Sequence, residues 1–151
     1  VTRPRAAIGV YGVYDLGLYR DLDTPVHRAF LRTLGRGGDI DALVREHQAV
    51  RELPFTDVPV LLLHGEADRF VPVENSRSLA RVLERQGVPV ELTIYPGADH
   101  GFNYQTLSAP HHTADSFRRM ASFFRRHVHG GRAMDAPTEG GAPASTGPAS
   151  R

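Results

Sequence analysis

The sequence predicts an α/β fold, a parallel sheet of three strands flanked by helices. Two observations carry this. Three apolar runs of strand length punctuate the chain, at Ala6–Val13, Val60–His64 and Val90–Tyr95. Segments of helical periodicity separate them, and helices between consecutive strands imply right-handed crossovers, which join parallel strands.

The elements follow in order. The first strand is Ala6-Ala7-Ile8-Gly9-Val10-Tyr11-Gly12-Val13. Thr24 then caps a helix whose first position is Pro25, where proline's missing N–H is tolerated, and which runs to about Gly35. Asp39 caps a second helix from Asp41 to about Arg51, with Ile40, Leu43, Val44 and His47 on one stripe. This pair is longer than one crossover needs. Residues 16–57 therefore read as a helical, cap-like insertion over one end of the sheet.

The second strand, Val60–His64, is continuously apolar, which suits a strand covered on both faces. A third helix starts near Glu74 and stops at the C-cap glycine Gly87, with Leu79, Val82 and Leu83 as its apolar stripe. Val90–Tyr95 is the third strand. The last helix runs from about Pro110 to His127, where Phe117, Met120, Ala121 and Phe124 keep the i, i+3, i+4, i+7 spacing of a core-facing stripe. Gly130–Arg151 lacks Leu, Ile, Val and aromatic residues, so it is expected to be a disordered tail behind an ordered part at 1–129.

Composition excludes several chemistries. The 151 residues contain no Cys, Trp or Lys, and all 18 basic residues are Arg, set against 17 acids for a net charge of +1. Without Cys there is no thiol nucleophile, disulfide or thiolate metal site. Without Lys there is no Schiff base and no Walker-type phosphate lysine. The near-zero charge argues against nucleic-acid binding, which needs a basic face. No apolar run approaches the ~18 residues of a membrane span. Of eight histidines, His111 and His112 are adjacent, and His127 and His129 are two apart. Neither spacing stacks two imidazoles on one helix face, so no metal or cofactor is expected.

Sites in parallel sheets form just past the C-terminal ends of strands. After the second strand comes His64-Gly65-Glu66-Ala67-Asp68-Arg69-Phe70-Val71-Pro72. After the third comes Pro96-Gly97-Ala98-Asp99-His100-Gly101-Phe102. Adjacent parallel strands lie about 4.8 Å apart, so side chains of these loops can meet despite their distance in sequence. An Asp beside a His is the orienting half of a nucleophilic triad: the carboxylate fixes the imidazole tautomer and stabilises the imidazolium that forms. Asp68 and Glu66 are both acids of the first loop. Asp68 also suits a plain turn. His64 is expected to pack against the loop that holds Asp68. Asp99 adjoins His100, and Tyr14 and Asp15 end the first strand as turn or site-lining residues.

The stretch Pro59–Phe102, PVLLLHGEADRFVPVENSRSLARVLERQGVPVELTIYPGADHGF, resembles the C-terminal part of α/β-hydrolases, in their esterase/lipase and prolyl-oligopeptidase-like branch. That branch shows a strand, HG-x-x-D-x-x-VP, a helix ending in Gly, a strand, then YPG-x-x-HGF. The opening AAIGVYGVYDL resembles the strand that follows the nucleophile helix in esterases. The resemblance implies a partial α/β-hydrolase fold, contributing the last three strands of the sheet. It makes Asp68 the catalytic acid and His100 the catalytic base, with Phe70, Phe102 and Tyr14 lining the substrate site.

One departure stands out. The serines are Ser76, Ser78, Ser108, Ser116, Ser122, Ser145 and Ser150, and none lies in G-x-S-x-G or precedes the acid loop. The nucleophile is therefore expected upstream of Val1, with this chain inactive alone. The implied function is a carboxylesterase-type serine hydrolase acting on a small ester, or a peptidase acting on short peptides. The alternative is a non-catalytic fragment or interaction module whose first strand leaves an unpaired apolar edge.

Overall fold

Every residue of the central strand, β2 (Val60–Gly65), is buried. It pairs in parallel with β1 (Ala7–Val10) on one side and β3 (Val90–Tyr95) on the other. Its continuous apolarity follows from that position, because both faces are covered. Val60 and Leu62 pack with Leu79, Ala80, Leu83 and Val88 on one side. Leu61 and Leu63 pack with Tyr95, Ala98, Phe102 and Phe123 on the other. The computed structural model describes residues 4–19, 24–34, 40–46, 57–105 and 110–128.

The remaining elements in chain order are a 3₁₀ turn (Leu16–Tyr19), α1 (Pro25–Leu34), α2 (Ile40–Glu46), α3 (Glu74–Arg85), a 3₁₀ turn (Phe102–Tyr104) and α4 (Pro110–His127). Helix α1 begins as its sequence implies: Thr24 Oγ1 accepts the His27 N–H at 3.2 Å, and Pro25 holds the first position. Helix α3 ends in a Schellman arrangement. Gly87 takes φ 72°, its N–H reaches the Glu84 carbonyl at 3.0 Å, and the Val88 N–H reaches Leu83 at 3.0 Å. A residue with a β-carbon is strained in that left-handed conformation.

The expected stripe of the last helix is corrected at Phe117, Ala121 and Phe124, while Met120 packs against the core as expected. Phe117 and Phe124 are 51% and 43% exposed, and Thr113, Ser116 and Phe123 are the buried residues of α4. Residues 116 and 123 share the spacing of 117 and 124, so periodicity fits either face. The buried hydroxyls find acceptors there: Thr113 Oγ1 donates to the Phe102 carbonyl at 3.1 Å and Ser116 Oγ donates to the Thr113 carbonyl at 2.8 Å. Both buried hydroxyls are thereby satisfied, and Phe123 packs with Leu61 and Leu63.

The first strand is shorter than expected, ending at Val10 rather than Val13. Helix α2 starts at Ile40, and its expected stretch beyond Glu46 lies outside the described residues, as do the Asp39 cap, Gly35 and the 130–151 tail.

Candidate active site

Strand β2 ends at Gly65, where an added β-carbon would lie 2.3 Å from the Ala98 carbonyl oxygen. Only glycine lets the two loops approach so closely. Backbone bonds from Glu66 N–H to Tyr95 and from Ala67 N–H to Ala98, both 2.9 Å, carry the pairing past the strand ends. Register does the rest: Gly65 lies opposite Tyr95, so the loops that follow bring together Asp68 and His100, 32 apart in sequence.

Asp68 uses its two oxygens differently. Oδ1 accepts the Phe70 and Val71 N–H groups at 2.9 and 2.8 Å and closes the turn. Oδ2 lies 2.8 Å from His100 Nδ1. One carboxylate thus both turns the loop and meets the imidazole. The Asp68 side chain is fully buried, and that burial alone would raise its carboxyl. Hydrogen bonds from His64, the Val71 N–H, His100 and the Phe70 N–H outweigh it and hold the group at about 2.

His64 lies beneath this loop, as its place at the strand end suggests. It is fully buried, with Nε2 at 2.9 Å from the Val71 carbonyl and 3.4 Å from Asp68 Oδ2, and Nδ1 at 2.7 Å from Ser76 Oγ. The Val71 carbonyl only accepts, so Nε2 carries the proton and Nδ1 accepts from Ser76. Glu66 is exposed and receives the Gly97 N–H at 3.4 Å, so Asp68 is the acid facing the histidine.

Asp99 ties the loops together. Its Oδ1 accepts the His100 N–H at 2.8 Å and the Arg69 N–H at 3.1 Å, and its Oδ2 accepts from Arg69 Nε at 2.7 Å. Its slight burial acts to raise the carboxyl, but the bonds from Arg69 and the His100 N–H bring it below the usual range. The His100 imidazole is bracketed by aromatic rings, with Tyr11 at 4.4 Å and Phe70 at 5.6 Å between centroids. Its side chain remains 35% exposed. With Nδ1–H given to Asp68, Nε2 is the nitrogen left for proton transfer.

Beside His100 lies a cavity of about 300 Å³, walled by Val13, Tyr19, His27, Phe30, Phe70 and Val71. Phe70, one of the expected lining residues, is part of this cavity wall. Two other expected lining residues are not. Phe102 is fully buried in the core beside Tyr95, at 4.6 Å between ring centroids. Tyr14 turns back over β1: its ring fills the space a side chain at Gly9 or Gly12 would need and packs against the Val60 and Leu62 face. Burial pushes its phenol up. Asp15 closes a turn by accepting the Gly17 N–H at 2.9 Å.

Sequence reasoning missed three contributors. Asn75 is fully buried; its Oδ1 accepts the Tyr14 and Asp15 N–H groups at 3.0 and 2.9 Å, and its Nδ2 donates to the Pro72 carbonyl at 3.1 Å. It fastens the loop after β1 to the start of α3. His27 joins α1 to the acid loop through Nε2 and the Phe70 carbonyl, 3.0 Å apart. Tyr11 touches His100. The one available signal was His27's place three residues after a capping threonine, which is too common to mark a site. Among the described residues, no group of three His, Asp or Glu side chains is placed to hold a metal ion.

Residues 4–131 match the prolyl oligopeptidase family. The human acylamino-acid-releasing enzyme is 33% identical over 79 residues, which cover 52% of this chain and 10% of that enzyme. The esterase LipC of Mycobacterium tuberculosis is 30% identical over 142 residues, covering 85% of this chain and 32% of the esterase. Among solved structures, the acylaminoacyl peptidase of Pyrococcus horikoshii superposes with a TM-score of 0.69 at 24% identity, over 83% of this chain and 20% of that one. The acetyl ester-xyloside bifunctional hydrolase of Caldicellulosiruptor lactoaceticus superposes with a TM-score of 0.59 at 28% identity, over 80% and 43% of the two chains. The chain spans about a tenth of the length of the human enzyme it matches and about a third of the esterase.

Proposed function

The chain belongs to the prolyl oligopeptidase family, its three strands forming part of an α/β-hydrolase fold, and from that premise we propose that it supplies the acid and base of a serine hydrolase. The observation that carries this is the 2.8 Å contact between Asp68 Oδ2 and His100 Nδ1 at the C-terminal ends of adjacent parallel strands. His100 Nε2 takes the proton of a serine hydroxyl as that oxygen attacks the carbonyl carbon. Asp68, ionised because it is held near 2, stabilises the imidazolium. The same proton passes to the departing alcohol or amine, and water then releases the acyl group by the reverse sequence.

The serine comes from outside these 151 residues. Ser76 is buried against His64, and Ser116 is buried against the backbone of α4. Among the described strands β1 pairs only with β2, and its other edge suits the strand that carries the nucleophile. Tyr19, His27 and Phe30, from the described part of the segment assigned here as a cap, form part of the cavity wall. That wall is mostly apolar and receives the apolar acyl group of a small ester. A second reading, cleavage of short acylated peptides, is favoured by the family match and by the acylamino-acid-releasing relatives.

The test uses the intact protein with matched ester and anilide substrates. Asp68→Asn and His100→Ala are each expected to lower kcat by ~10³–10⁴-fold while circular dichroism stays unchanged. Near-normal hydrolysis by either variant overturns the assignment, and the ester-to-anilide rate ratio separates the two substrate readings.

A further inference from the structure

Tyr11 is the one non-glycine described residue with positive φ, at 38°. For a bulky side chain this is a strained conformation, and such strain persists only where the surroundings enforce it. The strain changes where the ring goes. Along β1 the side chains alternate: Ile8 and Val10 pack on the α4 side of the sheet, and Gly9 faces Leu62 and Tyr14 on the other. Alternation would send Tyr11 with Gly9. Its N–H still continues the ladder, donating to the Leu63 carbonyl at 2.8 Å, but the left-handed turn brings the ring back to the side of Val10, among the Phe102 cluster.

There it meets the histidine loop at three points. Its ring centroid lies 4.4 Å from that of His100, and its edge meets Phe102 at 5.8 Å and 81°. Its hydroxyl donates to Asn103 Oδ1 at 2.9 Å, in the 3₁₀ turn that follows His100. We propose that Tyr11 is a positioning residue for His100, a brace held in a strained backbone so that its ring fixes the imidazole plane. This rests on the reading of His100 as the base. The bond to Asp68 secures Nδ1 and Phe70 bounds the ring on one side, and an imidazole without a second wall swings about the Nδ1 contact and displaces Nε2. The Tyr11 ring, itself anchored to the same loop, removes that freedom. Small displacements of a proton-transfer atom carry large rate penalties.

The experiment uses Tyr11→Gly and Tyr11→Phe in the intact protein. Glycine accepts the left-handed backbone, so the fold is retained and the ring alone is lost, which circular dichroism checks. The expected result for Tyr11→Gly is a kcat lower by ~10–100-fold with KM within about 3-fold. Tyr11→Phe, which keeps the ring, recovers most of that loss. The direct readout is the proton resonance of His100 Nδ1–H, shared with Asp68: sharp in the wild type and Tyr11→Phe, shifted or lost in Tyr11→Gly. An unchanged resonance in Tyr11→Gly overturns the brace whatever the rate. If His100→Ala retains hydrolysis, the base assignment falls, while the resonance still decides on Tyr11.

Discussion

A carboxylate with four hydrogen-bond donors around it and no exposed surface is an unusual group, and Asp68 has a consequence beyond catalysis. Its pKa in the folded chain, about 2, lies below the ordinary 3.8. The unfolded state therefore binds the proton more readily than the native state. Asp68 contributes its full stabilisation above about pH 4 and loses it as pH falls through 4 towards 2. The difference amounts to about 2 kcal/mol. Asp68→Asn is expected to flatten the acid limb of a stability–pH profile between pH 4 and 2, measured by urea unfolding at each pH. An acid limb identical to the wild type would show that the carboxylate is not held in this way. Asp68 and His100 were legible as residues because a framed motif names them. Asp99 was not, because its role depends on Arg69 reaching across from another loop.

At the scale of elements, strand β2, strand β3 and helix α4 are where the residue pattern reads most directly. Helix α4 runs from Pro110 to His127, and β3 from Val90 to Tyr95, as the periodicity and the turn residues imply. The face of α4 was misread, because Phe117/Phe124 and Ser116/Phe123 repeat with the same period one residue apart. The choice is made by packing against the sheet, where Phe123 and Met120 meet Leu61 and Leu63, and the helix period alone does not record it. It has a direct test in unfolding free energies. Phe123→Ala, removing a ring 1% exposed, is expected to cost ~3–5 kcal/mol. Phe117→Ala and Phe124→Ala are expected to cost no more than about 1 kcal/mol each. Comparable losses at 123 and 124 would reverse the assignment of the buried face.

At the scale of the molecule, Asp68 and His100 sit on loops past the C-terminal ends of adjacent parallel strands, and the proposed mechanism needs a partner serine from outside the 151 residues. A serine-directed fluorophosphonate is expected to label the intact protein and to leave every serine of this chain unmodified, as read by peptide mass spectrometry. A label on any of the seven serines here would overturn the external nucleophile. The cap has a similar dependence on the whole. Helix α1 is joined to the acid loop by His27 and the Phe70 carbonyl, 3.0 Å apart. That contact joins residues 43 apart in sequence and leaves no trace in either segment's composition.

The sequence by itself determined the fold class, most of the strands and helices, and the Asp and His as candidates, because each depends on local quantities: apolar period, caps, and motif spacing within each of two loops. Tertiary structure alone decided which oxygen of Asp68 turns the loop and which meets His100, which face of α4 is buried, and that Phe102 and Tyr14 belong to the core. It also decided that Tyr11 turns against the strand's alternation to reach the imidazole. These depend on hydrogen-bond acceptors and close packing contributed by distant segments, and a one-dimensional pattern holds no record of which distant atoms become neighbours.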